Sequence, residues 1–183
     1  MYQITSWLRR SPAFFVRCAE IVPSPCCIAS LTVIGSRKRK LVHATGEKSV
    51  LVIRRLRCTA CRKIHHELPD CIVPYKRYES ECVENVIASE PTEVDVAADN
   101  STLYRWRTWL CSMATYWLGC LESIAIRFHL DVVKEPSAPS QTAHHRFGRY
   151  VGDADGWLAR VVRPVVNSKL WVHTRSAFLS EAL

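Results

Sequence analysis

Leu51-Val52-Ile53-Arg54-Arg55-Leu56-Arg57-Cys58-Thr59-Ala60-Cys61 is the stretch that decides how this chain is read. A basic run with β-branched residues ends in two thiols separated by two residues. A strand entering a tight turn with a cysteine at each end is the layout of a zinc knuckle. A second thiol pair, Cys26-Cys27, lies upstream, and 30 residues separate Cys27 from Cys58. The segment between the two pairs is dense in Arg and Lys. Together they predict a small zinc ribbon with a positively charged face.

A structural zinc site takes four tetrahedral ligands, commonly two from each of two knuckles, and in so small a module its binding energy is folding energy. Cys58 and Cys61 form one regular half. The other half is irregular, because Ser24 stands where the first thiol of a Cys-x-x-Cys ending at Cys27 would be, and Ile28 stands where glycine usually permits a positive φ. Three outcomes are open. Cys27, Cys58 and Cys61 take a fourth ligand from Cys26, His43, His65 or His66; zinc binds with water in the fourth position; or the metal has been lost. The expectation is one zinc per chain. For His65 and His66 the competing role is structural, one of them packing under the ribbon and bonding to a carbonyl.

Charge is concentrated in the same region. The chain carries a net charge of +8. Residues 35–63 hold Arg37, Lys38, Arg39, Lys40, Lys48, Arg54, Arg55, Arg57, Arg62 and Lys63 against the single acid Glu47. Such a run is often just a solvated face, but beside a knuckle it favours a polyanionic partner. The 48% hydrophobic composition and six tryptophans are enough for a folded core. Arg9, Arg10, Arg17 and Glu20 interrupt the first twenty residues, so no export signal is expected. A reduced, cytoplasmic setting then makes clustered cysteines metal ligands rather than disulfides. Cys18, Cys71, Cys82, Cys111 and Cys120 lack knuckle spacing and are expected as small buried hydrophobes. No uncharged apolar run approaches the roughly 20 residues that span a bilayer, so no membrane is expected.

The organisation follows from turn and proline signals. Residues 1–22 are a lead-in, 23–74 the ribbon-like module, 75–133 a helical region resembling a helix-turn-helix, 134–145 a linker rich in Pro and Ser, and 146–183 a C-terminal helical segment. Three short β runs are predicted, Leu31–Ile34, Lys40–His43 and Ser49–Arg57, with a turn at Thr45-Gly46. Leu68-Pro69 and Val73-Pro74 keep the backbone extended. A short helix is expected over Tyr78–Ser89, with a turn and a second short helix over 91–100. Asn100-Ser101-Thr102 offers capping chemistry for a long helix, because Leu103, Trp106, Leu110, Met113, Trp117, Leu121, Ile124 and Phe128 recur at spacings of three and four. Its length would be about 40 Å. Trp157, Leu158, Val161, Val162 and Val165 predict a last helix, stopped or kinked by Pro164.

The helical middle also suits DNA. In a helix-turn-helix the second helix lies in the major groove. Ser101 and Thr102 would then meet phosphate, Arg105 or Arg107 would face the DNA, and Arg105 would reach a guanine edge. The plainer reading is a capped helix with solvated arginines.

Several blocks carry a resemblance. They are Val33-Ile34-Gly35-Ser36-Arg37-Lys38-Arg39-Lys40, Arg54-Arg55-Leu56-Arg57-Cys58, Ile64-His65-His66-Glu67-Leu68-Pro69-Asp70 and Val73-Pro74-Tyr75-Lys76-Arg77-Tyr78. Ser101 to Trp106, Trp157 to Pro164 and Asn167 to Ser180 extend it. The chain resembles a bacterial domain family of unknown function, similar in layout to the zinc-ribbon and helix-turn-helix front ends of transposases. The family opens with a Cys-Pro-x-Cys knuckle followed by glycine, and this chain departs there at Ser24 and Ile28. The resemblance implies architecture and a nucleic-acid context, and no activity.

Catalysis finds little support in the residues. Asp95, Asp99, Asp131, Asp153 and Asp155 are candidates for holding metal ions in phosphodiester chemistry, but no alternating strand and helix pattern carries them. Glycine loops for phosphate are absent. The reading is therefore an α+β protein, an N-terminal zinc-ribbon-like β module followed by a helical bundle with one long helix. DNA is the expected partner, contacted by Arg37, Lys38, Arg39, Lys40, Arg55, Arg57, Ser101, Thr102, Arg105 and Arg107. The alternatives are a zinc-stabilised module joining a protein partner or a second copy through the long helix, and a degenerate transposase remnant.

Overall fold

The computed structural model describes residues 13–16, 23–89, 93–130, 145–152, 154–171 and 177–179. The architecture is α+β: a twisted sheet at the front, then a long helix with shorter ones around it. β1 (Ala13–Phe15), β2 (Leu31–Val42), β3 (Lys48–Cys58), β4 (Ile64–Leu68) and β5 (Ala177–Leu179) form the sheet. β3 is its spine. It pairs antiparallel with β2 along one edge, and on the other with β1 (parallel, Val50 to Val52) and β4 (antiparallel, Arg55 to Arg57). β5 runs parallel to β4.

Two of the predicted β runs merge. Leu31–Ile34 and Lys40–His43 belong to one strand, β2, because Gly35 and Ser36 continue the ladder instead of ending it. The register shifts between Val33 and Gly35, a bulge that Gly35 accommodates at a φ of 147°. The Thr45-Gly46 turn forms as expected, with Gly46 at a φ of 84° and Ala97 close against it. β2 is an edge strand, and its exposed Arg37, Lys38 and Lys40 discourage pairing with another chain.

The helices are α1 (Ser80–Ala88), α2 (Asn100–Phe128), α3 (His145–Val151) and α4 (Trp157–Asn167). The second short helix expected over 91–100 does not form within residues 93–99. That segment is pinned instead by the bond from Ala97 N to Ala44 O (2.8 Å). α2 is capped by Asp99 rather than by Asn100, Ser101 or Thr102. Its carboxylate accepts from Thr102 N at 2.8 Å and from the hydroxyls of Ser101 and Thr102. α4 passes through Pro164 and continues to Asn167, because Val161, Val162, Val165 and Val166 are buried on one face. His145 already belongs to α3, and the rest of the proposed linker, 134–144, lies outside the described residues, as does Cys18.

The core joins sheet to helices. Leu41, Leu51, Ile53 and Leu68 from the sheet meet Val83 and Val86 of α1, Leu110 and Trp117 of α2, Phe147 of α3, and Leu158 and Val161 of α4. Trp117 stacks on Trp171 with centroids 5.2 Å apart and meets the edge of Trp109 at 5.1 Å. Phe147 stacks on Trp157 at 5.9 Å. α2 is long and apolar enough to cross a membrane by length and composition, but Trp106, Leu110, Trp117, Leu121 and Ile124 are buried in this core. Cys82 and Cys120 are buried and Cys71 half-buried as expected, whereas Cys111 is exposed on the outer side of α2.

Buried polar groups fix the layers. Glu84 accepts from the backbone N–H groups of Gly156, Trp157 and Leu158, capping α4 from α1. Arg163 of α4 pairs with Asp70 after β4 at 2.6 Å. Arg54 grips the fully buried Glu67 through Nε (2.5 Å) and Nη2 (2.7 Å), which gives the acid of the His-His-Glu block a structural role.

Candidate functional site

Two turns meet at the far end of the β2–β3 hairpin. The first, residues 24–28, is closed by Ile28 N donating to Ser24 O at 2.9 Å. The second, 58–62, is closed by Arg62 N donating to Cys58 O at 3.0 Å. Each ends in a non-glycine residue of positive φ, Ile28 at 56° and Arg62 at 63°. Thr59 N donates to Ser30 O at 3.1 Å and locks one turn to the other. The first turn thus keeps the knuckle backbone even with Ile28 in the place of glycine.

The four thiols of Cys26, Cys27, Cys58 and Cys61 lie within 4.8 Å of one another and could hold a metal ion. Sulfurs bound tetrahedrally at about 2.3 Å from zinc would stand roughly 3.8 Å apart, so the spacing suits the donor set. Ser24 occupies the first knuckle position. It is buried, accepts from Cys27 N (3.3 Å) and Ala29 N (3.2 Å), and sets its hydroxyl 3.3 Å from the Cys58 sulfur. Cys26, two residues on, supplies the sulfur that Ser24 lacks and reaches Cys61 Sγ at 3.3 Å.

The surroundings polarise the thiols in opposite directions. The Ser24 hydroxyl, helped by backbone N–H groups of the second turn, brings Cys58 down to about 6. The backbone at Lys63 likewise lowers Cys61. Cys27, facing the Cys61 thiol, is pushed up to about 12, and burial raises Cys26. One sulfur is therefore ready as a thiolate, the form in which a cysteine binds metal.

Strand alternation separates the two histidines of β4. His65 is buried and turns to the thiols, its Nε2 3.1 Å from Cys26 Sγ, while its Nδ1 finds no partner among the described residues. It stands behind Cys26, as outer-shell groups stand behind the ligands of a metal site. Lys169, from the segment after α4, adds a bond from Nζ to Cys26 O at 2.8 Å. His66 points to the opposite face, where burial and then Arg37, Arg55 and Arg39 hold it below its ordinary range. His43 is far from the thiols in function: its ring bonds Glu79 at 2.8 Å and Ser49 at 2.6 Å. Of the four fourth-ligand candidates, the thiol cluster includes Cys26.

The cationic residues divide similarly. Arg37 faces Ile53, Arg39 faces Leu51 and Arg55 faces His66 across the ladders, which sets them on one face of the sheet. Arg55 and Arg57 alternate along β3 with Leu56 and Cys58, so the thiols occupy the other face. Arg37, Lys38 and Lys40 are exposed, Arg39, Arg55 and Arg57 half-buried. Among the described residues, no carboxylate pairs with any of these six.

On α2 the first turn is largely engaged within the protein. Ser101 and Thr102 donate to Asp99, and Arg105 folds back on Ser101 while staying exposed. Arg107 donates to the carbonyls of Val86 (2.9 Å) and Ser89 (2.7 Å), tying α1 to α2. The connection between the two helices spans residues 89–99, longer than the three or four residues of a helix-turn-helix turn. Sequence reading missed Lys169, which lies 143 residues from Cys26, and also Tyr75 and Arg77, whose surroundings only the fold reveals.

No curated protein and no solved structure matches the chain. Residues 24–106, from the Ser24 turn through the sheet and α1 to Trp106 in α2, match the family model of a domain of unknown function, DUF6431.

Proposed function

We propose that the protein is a non-catalytic DNA-binding protein in which zinc, held by Cys26, Cys27, Cys58 and Cys61, stiffens a cationic sheet. The observation that carries this reading is the row Arg37, Lys38, Arg39, Lys40 with Arg55 and Arg57, with which no carboxylate pairs among the described residues. Cations left unneutralised on a rigid strand suit phosphates, which supply most of the affinity of DNA-binding proteins. The exposed Arg105 would add a phosphate contact from α2. The zinc-ribbon and transposase-like context, in a mobile-element or regulatory setting, rests on the resemblance described above.

The protein-joining alternative has less to work with. Trp106, Trp109, Trp117, Trp157 and Trp171 all sit in the core or pack against it, so they offer no partner surface. Asp99 is engaged at the α2 cap, Glu84 at the α4 cap and Glu67 with Arg54.

Duplex binding measured from low to moderate salt tests the proposal. Log K should fall linearly with log salt, and replacing Arg37 to Lys40 by alanine should flatten that slope by about three to four. A slope near zero for the native protein contradicts phosphate contact.

A further inference from the structure

A cleft of about 530 Å³ opens between β2 and the turn that follows β4. Its walls include Arg37, Arg39, Lys40, Arg77, His66 and Tyr75, and among the described residues no carboxylate lines it. Ile53 and Leu68, both buried, form its apolar floor. That size lies within the usual range of small-ligand sites.

The turn at its rim is built against its own sequence. Lys76 N donates to Val73 O at 3.0 Å, so Pro74 and Tyr75 occupy the two central positions. Proline first and a positive φ second is the pattern of a type II turn, whose second position calls for glycine. Tyr75 sits there at a φ of 66° with 68% of its surface exposed. Of the non-glycine residues with positive φ, Ile28 and Arg62 close the knuckles, while His129 and Lys169 follow helix ends. Tyr75 belongs to neither group. Strain of this kind is kept where the structure over-determines it, and it collects at binding sites. Here Arg39 Nη2 donates to Lys76 O at 2.8 Å, and Val42 N donates to Arg77 O at 2.8 Å, fastening the turn to β2.

Resting on the DNA reading above, we propose that this cleft binds an unpaired DNA strand, its phosphates on Arg37, Lys40 and Arg77 and one base stacked on Tyr75. A positive groove with an exposed aromatic ring is how proteins grip single strands without reading sequence. A ring exposed beside these cations would be of little use to a duplex, whose bases are already stacked.

The test is fluorescence anisotropy with a labelled oligothymidylate of about 12 nucleotides, within the site sizes single-strand binders cover, and a hairpin duplex of equal length. Both are titrated with the full chain and with Tyr75→Gly and Tyr75→Phe. Gly relieves the positive φ, so thermal unfolding of Tyr75→Gly should be unchanged or higher, which guards against misfolding. The expected result is an affinity for the single strand about tenfold lower in Tyr75→Gly, near native in Tyr75→Phe, with duplex binding unmoved. Native single-strand affinity in Tyr75→Gly, with duplex still bound, overturns the cleft proposal and leaves the DNA reading standing. Equal losses on both probes overturn the preference for unpaired strands. Failure of the native protein to bind either probe overturns both readings.

Discussion

Around Cys26, Cys27, Cys58 and Cys61 the sheet has little apolar cover: Ile28 is 78% exposed and Val33 53%, with Leu56 and Cys58 among the few buried side chains. Around Trp117, by contrast, Trp109, Trp171 and Phe147 form a continuous cluster of rings. The thiol end gains order from bonds between turns and from the sulfurs' capacity for an ion; the core gains it from burial. The core therefore sits toward one end of the sheet and the four thiols at the other, while Arg37 to Lys40 pair with Val50 to Ile53 on the core side.

Breaking each end separately tests that contrast. Trp117→Ala should have the largest effect, lowering global stability by about 3 to 5 kcal/mol in chemical denaturation, because it empties a site at the centre of the ring cluster. Metal stoichiometry of the folded fraction should not change. Cys61→Ala should do the reverse. It removes one of the four proposed metal ligands, so amide exchange at residues 31–34 and 56–58 should rise by roughly tenfold or more while protection near Trp117 persists. Loss of protection in both regions at once would show that the two ends unfold as one unit.

Smaller changes sharpen the comparison. His65→Ala should weaken metal affinity about 10- to 100-fold in competition with a chelator, as removal of outer-shell partners does, with little effect on unfolding of the core. At the helical end, Asp99 is held down to about 2 by the hydroxyl of Ser101 and the backbone N–H of Thr102. Its carboxyl is depressed in the folded state, so the cap's contribution is complete above its ordinary value of 3.8 and is lost as pH falls through about 2. Asp99→Asn still caps but does not titrate there. The helical circular dichroism of the native protein should therefore fall further than that of Asp99→Asn between about pH 4 and pH 2.

The amphipathic helices and the knuckle were legible because each rests on local periodicity or spacing. Leu103 to Phe128 repeats at three and four, and Cys58 to Cys61 encloses a two-residue turn. Three features needed the fold. Gly35 reads as a strand break, yet pairing with Arg55 carries β2 through it. Pro164 reads as a stop or a kink, yet the valines on either side are buried and α4 continues past it. Cys26 reads as one of four candidates for the fourth ligand, and the Ser24 turn is what swings it beside Cys61. In each case a long-range contact outweighs a local preference, and such contacts leave no mark at fixed spacing. The adjacent His65 and His66 show the same limit. Alternation predicts that they part, but only the ladder shows which one meets sulfur and which meets arginine.

Native mass spectrometry of the reduced protein, with elemental analysis of the same sample, tests the central claim most directly. One zinc per chain that is lost in Cys61→Ala is the predicted result. Native protein carrying no zinc after exposure to excess zinc, its hairpin end as protected as before, would contradict it.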